Sequence, residues 1–117
     1  MDNGWIDLST SPIAAGDGPV IVWHVYQGAM VCRREDVAFN RFFSHYREID
    51  AGGWIDTTER KPTRNDADAQ ECVISQNKWD EISMAGWHRF ESENNLTRWQ
   101  RPPKPPVNFR ELRDKAE

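Results

Sequence analysis

The most constraining feature of this sequence is a repeated tetrapeptide. Gly-Trp-Ile-Asp occurs at 4–7 and again at 53–56. Each copy is followed in turn by a proline, a short acidic or Gly-rich stretch and an apolar run, with the spacing drifting by a few positions. Self-similarity of this kind is typical of one structural unit written twice. The sequence therefore predicts two related units, 1–52 and 53–106.

The length of the chain indicates how these units are combined. Units of about 50 residues seldom fold alone without a metal or disulfides, so we expect the two to share one core in a single domain spanning 1–117. Hydrophobic residues make up 38% of the chain, and six tryptophans add large apolar areas to this modest supply. The predicted core is rich in tryptophan.

Charge and cysteine usage narrow the class of protein. The formal net charge is −4 and the isoelectric point is about 5.4, which argues against direct nucleic-acid binding, because such proteins usually carry a basic patch. Cys32 and Cys72 lie at different places in the two units and are expected to be reduced thiols. The sequence shows neither a leader nor an apolar run long enough for a membrane-spanning helix, so we expect a soluble protein.

The apolar patterns predict mostly strands. Residues 20–26 and 29–32 are rich in β-branched and aromatic side chains and flank Gln27-Gly28, which predicts a hairpin. In the second unit we expect strands at 71–75, at 81–90 with a break at Gly86, and at 96–99. The polar residues 58–70 are expected to form an exposed loop, and 91–95 a turn.

One segment has a helical period instead. Apolar residues recur at steps of three and four between 37 and 49, which predicts an amphipathic helix with Asp36 as N-cap and Gly52-Gly53 as its stop. These residues are Val37, Phe39, Phe42, Phe43, Tyr46 and Ile49. Four prolines at 102–106 predict an extended strap, which either closes the domain or serves as a ligand for an aromatic groove. A short C-terminal helix is expected from Asn108 to about Lys115.

These elements together predict an α+β fold. It consists of two pseudo-repeated small antiparallel β units that share one core, one inserted amphipathic helix, and a short C-terminal helix behind the proline strap within 101–117.

No catalytic or metal motif stands out. The spacing of His24, His45 and His88 relative to the cysteines does not match a structural zinc site, and neither a nucleophile elbow nor a cysteine signature is present. The repeated Asp7 and Asp56 are expected to cap the turns that follow them, with paired catalytic carboxylates as the alternative. The sequence predicts no metal, no cofactor and no enzymatic activity.

The second unit is similar to a domain of unknown function found in small phage and prophage proteins. The resemblance covers about 53–106 and rests on Trp54-Ile55, the turn Glu59-Arg60-Lys61-Pro62, a strand at 72–74, and Thr97-Arg98-Trp99 running into Pro102-Pro103. Arg98 departs from the family, which commonly has His there. The resemblance implies a small accessory protein of a mobile element, located in the cytoplasm of a bacterial host.

The resemblance and the residues together suggest a function. The resemblance implies that the protein binds a host protein or protein complex and inhibits it, as an anti-CRISPR-like factor does. The alternative is a binder or sponge of a nucleotide-like small molecule in a cleft lined by Trp and Arg. Either function would use exposed aromatic and basic side chains. The candidate binding residues are Trp79, Trp87, Arg89, Arg98, Arg60 and Arg64.

Overall fold

The computed structural model describes residues 4–16 and 18–106. The elements, in chain order, are β1 (Ile6–Asp7), β2 (Pro19–His24), β3 (Gly28–Arg33), the 3-10 helix η1 (Arg34–Phe39), β4 (Phe43–Arg47), β5 (Ile55–Asp56), η2 (Arg64–Asp66), β6 (Cys72–Asn77), β7 (Ile82–Gly86), η3 (Trp87–Glu91) and β8 (Leu96–Gln100). The described chain divides into two compact units. The first unit runs to Ile49 and takes in 103–106, and the second unit is Asp50–Pro102.

Each unit contains one four-stranded antiparallel sheet, and the two sheets have the same connectivity. The strand order is β1-β4-β2-β3 in the first unit and β5-β8-β6-β7 in the second. The register against the fourth strand shifts at Trp23/His24 in one sheet and at Gln76/Asn77 in the other, which is the same position. The repeat that the tetrapeptide indicated is thus a repeat of the whole sheet.

The numbering offset between equivalent residues is not constant. Ile6 pairs with Tyr46 in the first sheet as Ile55 pairs with Trp99 in the second, so the offset is larger at the last strand than at the first. The loop that separates the first two strands of each unit is longer in the second unit, since it spans 57–71 there and 8–18 in the first. This insertion explains the drift in spacing that follows the repeated tetrapeptide. After the loop, equivalent residues of the two units are separated by the same numbering offset as Tyr46 and Trp99.

The predicted α+β class is wrong, because the described residues contain no helix longer than six residues. In place of the amphipathic helix at 37–49, η1 ends at Phe39 and β4 begins at Phe43. Residues 40–42 separate the two elements, and the Asn40 side-chain oxygen accepts a hydrogen bond from the Phe42 amide at 2.9 Å. The apolar residues at 37–49 recur at steps of three and four because this segment joins the end of η1 to the start of β4.

Long-range pairing is what makes 43–47 a strand. Tyr46 lies opposite Ile6 of β1 and Val22 of β2, so β4 is an inner strand with hydrogen-bonded neighbours on both sides. Such pairing overrides a local helical pattern, and aromatic residues suit a pleated surface. Phe39, which belonged to the apolar face of the predicted helix, is 86% exposed.

Other elements agree with the sequence in part. The first hairpin is confirmed, with β2 and β3 paired from Pro19↔Arg33 to His24↔Gly28. The strand predicted at 96–99 is β8. The strand expected to resume after Gly86 is instead η3, and the loop 58–70 contains η2 and a buried Asp66. The predicted C-terminal helix lies outside the described residues.

The core of each unit is built from equivalent positions. In the first unit the buried cluster is Val20, Val22, Val37 and Tyr46, and in the second it is Val73, Ala85, Phe90 and Trp99. Val20 corresponds to Val73, Val37 to Phe90 and Tyr46 to Trp99. A polar exception is Ser75, which replaces Val22 and donates its hydroxyl to the Ser83 carbonyl at 3.0 Å. The prediction of a core rich in tryptophan holds for Trp99, which is fully buried.

Candidate functional site

Trp79 is the large apolar side chain that the second unit exposes to solvent. It lies in the four-residue loop 78–81 that joins β6 to β7, and it is 59% exposed. The Lys78 ammonium lies 4.7 Å from the centroid of the indole ring, within range of a cation–π contact. Among the six tryptophans, Trp5, Trp23 and Trp99 are buried, and Trp54 and Trp87 are half-buried. Of the two tryptophans named as candidate contact residues, Trp79 is thus exposed and Trp87 is half-buried.

The Asn77 side chain holds two backbone amides of the loop that carries Trp79. The Asn77 Oδ1 atom accepts hydrogen bonds from the amides of Trp79 at 2.9 Å and Glu81 at 3.0 Å. Asp80 has a φ of 64°, in the left-handed region that Asp tolerates better than most residues. Because Asn and Asp stabilise tight turns in this way, the backbone beneath the exposed indole is fixed before any partner arrives.

Arg98 lies near the same end of the second sheet. It pairs with Gln76 in the register, and its Nε donates to the Gln76 side-chain oxygen. Gln76 in turn donates to the carbonyl of Asp80 in the loop, at 3.4 Å. The guanidinium of Arg98 lies 5.2 Å from the ring centroid of Trp54. Gln76 thus links Arg98 to the loop that carries Trp79.

Three of the predicted site residues lie toward the other end of β6. Arg64 forms an ion pair with Glu71 at 3.3 Å, and Arg89 forms a two-pronged pair with Glu93 at 2.8 and 3.0 Å. Trp87 follows β7, and its amide bonds the Glu71 carbonyl. Since a strand rises about 3.4 Å per residue, the six-residue β6 separates this group from Trp79 by roughly 17 Å.

Trp87 is a half-buried side chain rather than a surface platform. Its ring meets that of His88 edge to face, with centroids 5.9 Å apart. The indole Nε1 atom is buried and makes no hydrogen bond among the described residues. The equivalent position of the first unit is taken by Arg34.

Arg60 belongs to a third cluster, centred on a buried carboxylate. Asp66 is 4% exposed and accepts hydrogen bonds from Arg60 at 3.0 Å and from Arg101 at 2.8 Å. The amide and hydroxyl of Thr63 donate to the same carboxylate at 2.8 and 3.0 Å. Arg60 also stacks on the Trp99 ring at 4.8 Å, and its carbonyl accepts the Trp99 indole N–H at 2.8 Å.

The ionisation of Asp66 follows from these contacts. Burial by itself would raise the pKa of Asp66, but the hydrogen bonds from Arg60, Thr63 and Arg101 together hold that pKa well below its usual range. The carboxylate therefore stays charged at physiological pH and keeps both arginines in place. This cluster stabilises the loop 57–71 and is a structural feature of the second unit.

The first unit contains a counterpart of the Trp79 loop that the sequence reasoning missed. Tyr26 occupies the equivalent position in the loop between β2 and β3 and is 37% exposed. It packs against Phe42 with ring centroids 5.4 Å apart, and the Arg41 guanidinium lies 4.9 Å from the Phe42 ring centroid. Aligning the two units on their apolar runs instead of the tetrapeptide would have matched Tyr26 with Trp79.

The remaining candidates have structural contacts. The carboxylate of Asp7 accepts from the amide and hydroxyl of Ser9 at 2.9 and 2.7 Å, as expected for a turn cap. Asp56 is exposed, and its carbonyl accepts the amides of Glu59 and Arg60. His45 is buried, and its Nδ1 lies 2.9 Å from the Ser44 hydroxyl.

Cys32 and Cys72 are free and half-buried, and burial raises the pKa of both thiols. Within 4–16 and 18–106, no group of three or more His, Cys, Asp or Glu side chains is arranged to hold a metal ion. No helix in that part of the chain is long and apolar enough to cross a membrane.

The six predicted binding residues therefore occupy three places in the second unit and do not form one cleft. The fold and this geometry define the class as a tandem repeat of small four-stranded antiparallel sheets. No protein family model, curated protein or solved structure matches the chain. The similarity to a phage domain family stays a prediction.

Proposed function

We propose that this protein acts by binding another protein, without catalysis, and that the Trp79 loop of the second unit is the centre of the contact. The observation that supports this most is the exposure of Trp79 on a loop fixed by Asn77. Tryptophan is enriched among the residues that dominate binding energy. A backbone that is already ordered loses less entropy when a partner binds.

The partner implied by the phage resemblance is a protein or protein complex of a bacterial host, such as a component of a defence system. The surface around Trp79 fits a protein partner, since it combines an indole with Lys78 on one side and Asp80 and Glu81 on the other. Partner surfaces typically pair such an apolar anchor with a polar rim. The proposal also includes the host cytoplasm as its location.

The alternative, a site for a nucleotide-like molecule, has less support. Three of the four arginines that would contact phosphate are paired with carboxylates of their own unit. These pairs are Arg60 with Asp66, Arg64 with Glu71, and Arg89 with Glu93. A phosphate would have to displace Asp66 from a buried position where it accepts hydrogen bonds from three residues.

The test is an affinity capture of the tagged full-length chain from bacterial lysate, with mass spectrometry of retained proteins and released small molecules. Trp79→Ala is compared with Phe39→Ala, a matched control that removes an aromatic ring 86% exposed in the first unit. We expect one or more proteins to be retained by the wild type and by Phe39→Ala and lost from Trp79→Ala. For the purified partner, the Kd should rise at least about tenfold with Trp79→Ala.

Two results would overturn the proposal. One is a retained protein whose affinity is equal for wild type and Trp79→Ala. The other is capture of no protein together with release of an ultraviolet-absorbing metabolite on heat denaturation, which would favour the small-molecule alternative. Both variants are first compared with the wild type by chemical denaturation, so that a loss of binding is not a loss of folding.

A further inference from the structure

The loop of the first hairpin is held by a histidine in the way that the second is held by an asparagine. The His24 Nδ1 atom lies 3.1 Å from the amide nitrogens of both Tyr26 and Gln27 and accepts a hydrogen bond from each. Asn77 is the equivalent residue of the second unit and accepts from two loop amides through its side-chain oxygen. In both loops one side chain accepts hydrogen bonds from two backbone amides. The acceptor is titratable in the first unit, where it is His24, and not titratable in the second, where it is Asn77.

Only one protonation state of His24 is compatible with these bonds. A neutral imidazole accepts at one nitrogen and carries its proton on the other, whereas an imidazolium donates at both. With Nδ1 accepting, the proton must lie on Nε2. Adding a proton to Nδ1 would direct an N–H at two backbone N–H groups, and both hydrogen bonds would be lost.

Within 4–16 and 18–106, no carboxylate forms an ion pair with His24 that would stabilise an imidazolium there. The ring is 7% exposed and packs against Tyr26, Phe42 and Phe43, with centroid distances of 6.2, 5.5 and 5.8 Å. In the register its partners are Gly28 on β3 and Phe43 on β4.

Among the described residues, the structure places a phenol, a guanidinium and a second imidazole around the elements that pack on His24. Tyr26 is the titratable group in the loop, and Arg41 is the charged group stacked on Phe42. His45 lies two positions beyond Phe43 on β4. None of these groups is a carboxylate. Burial lowers the pKa of His24 accordingly.

We propose that the first hairpin contains a pH-sensitive turn, in which protonation of His24 releases the loop that presents Tyr26, whereas the Trp79 loop does not respond. Histidine is the side chain whose ordinary titration falls between about pH 5 and 8. The direction follows from linkage: the neutral histidine supports the folded loop fully above about pH 6.5, and this support is lost as the pH falls through the lowered folded-state pKa. The Tyr26 loop would then be ordered at neutral pH and increasingly released as the pH falls below about 6.5.

The experiment uses the full-length, nitrogen-15-labelled protein. Long-range proton–nitrogen spectra at pH 7.5 report which ring nitrogen of His24 carries the proton. Amide hydrogen exchange, corrected for the intrinsic effect of pH, is then followed from pH 7.5 to 5. We expect an unprotonated Nδ1 at pH 7.5 and a loss of protection at Tyr26 and Gln27 of about tenfold or more, with less than about a twofold change at Trp79 and Glu81.

Two exchanged variants sharpen the result. His24→Asn copies the second unit and should remove the pH response at Tyr26 and Gln27, while Asn77→His should introduce one at Trp79 and Glu81. The proposal is overturned if Nδ1 is protonated at pH 7.5, or if protection at Tyr26 and Gln27 does not change as His24 titrates. The wild-type spectra decide this even if a variant fails to fold.

Discussion

In each unit the residue just after the last strand takes part in an ion pair that fixes the loop between the first and second strands, directly in the second unit and through Arg34 in the first. In the first unit Glu48, just after β4, pairs with Arg34, and Arg34 also donates to the Ala14 carbonyl of the loop at 3.1 Å. In the second unit the equivalent position after β8 is Arg101, which pairs with Asp66 of the loop. The equivalent positions Glu48 and Arg101 thus carry opposite charges, and each is paired with an oppositely charged side chain.

The difference in loop length has a second consequence. In the second unit the longer loop forms η2, which packs against η3, and Ala67 adds to the core. In the first unit the shorter loop leaves an apolar pocket of about 300 Å³ beside η1. Its lining residues are Leu8, Pro12, Ile13, Val37, Ala38, Asn40 and Phe43. One unit thus has an open apolar pocket where the other has additional packing.

Exchanging equivalent core residues tests this comparison and should give the largest effect. Phe90→Val removes a buried ring from the second unit, and the free energy of unfolding should fall by about 2–3 kcal/mol. Val37→Phe places the same ring beside the pocket of the first unit, which has room for it, so stability should change by less than about 1 kcal/mol. Urea denaturation measures both.

The two variants serve as controls for each other, because they change the same side chain in opposite directions at equivalent positions. A destabilisation of Val37→Phe by as much as Phe90→Val would mean that the pocket cannot accept the ring. The pocket beside Val37 would then not be equivalent to the space that Phe90 fills in the second unit.

Removing the negative charge of Asp66 should destabilise the protein more than removing that of Glu48. Asp66→Asn leaves two arginines without their charged partner at a buried position, and we expect a loss of about 1–3 kcal/mol, since both arginines are partly exposed. Glu48→Gln should cost less than about 1 kcal/mol, because the Glu48 side chain is 56% exposed. Equal losses in the two variants would contradict this ranking.

The pH dependence of Asp66 has a definite sign. Its folded-state pKa is held below the ordinary value, so its contribution to stability is complete above about pH 4. That contribution is lost as the pH falls through the folded-state pKa. The difference in stability between wild type and Asp66→Asn should therefore narrow steadily below about pH 4, and denaturation curves recorded from pH 5 down to pH 2 test this.

The structural elements that could be predicted from the sequence are those set by residues close together along the chain. The first hairpin follows from β-branched residues on both sides of Gln27-Gly28, and β8 follows from an alternating run between turn residues. The polar residues around Trp79 made it a candidate contact residue, but its exposure was left open until the structure placed it on a loop. These signals are local, and long-range contacts reinforce them.

Other features depend on contacts between distant residues. β4 is a strand because Tyr46 pairs with β1 and β2, although its apolar spacing resembles a helix. Asp66 is buried because Arg60, Thr63 and Arg101 converge on it, the last from far along the chain. Neither periodicity nor composition indicates that convergence. The role of Tyr26 was hidden because the repeated tetrapeptide aligns the two units correctly only as far as their first loops.

The smallest expected effect on stability concerns the two hairpin loops themselves. Trp79→Phe and Tyr26→Phe should each change the free energy of unfolding by less than about 0.5 kcal/mol, since both side chains are exposed. The optical effect should be large in Trp79→Phe, because it removes the most exposed of six tryptophans. Acrylamide quenching of tryptophan fluorescence measures this: the fraction quenched readily in the wild type should mostly disappear in Trp79→Phe and stay unchanged in Tyr26→Phe. If readily quenched fluorescence persisted in Trp79→Phe, another indole would be equally accessible, and the difference in exposure between Trp79 and the half-buried Trp54 and Trp87 would not hold.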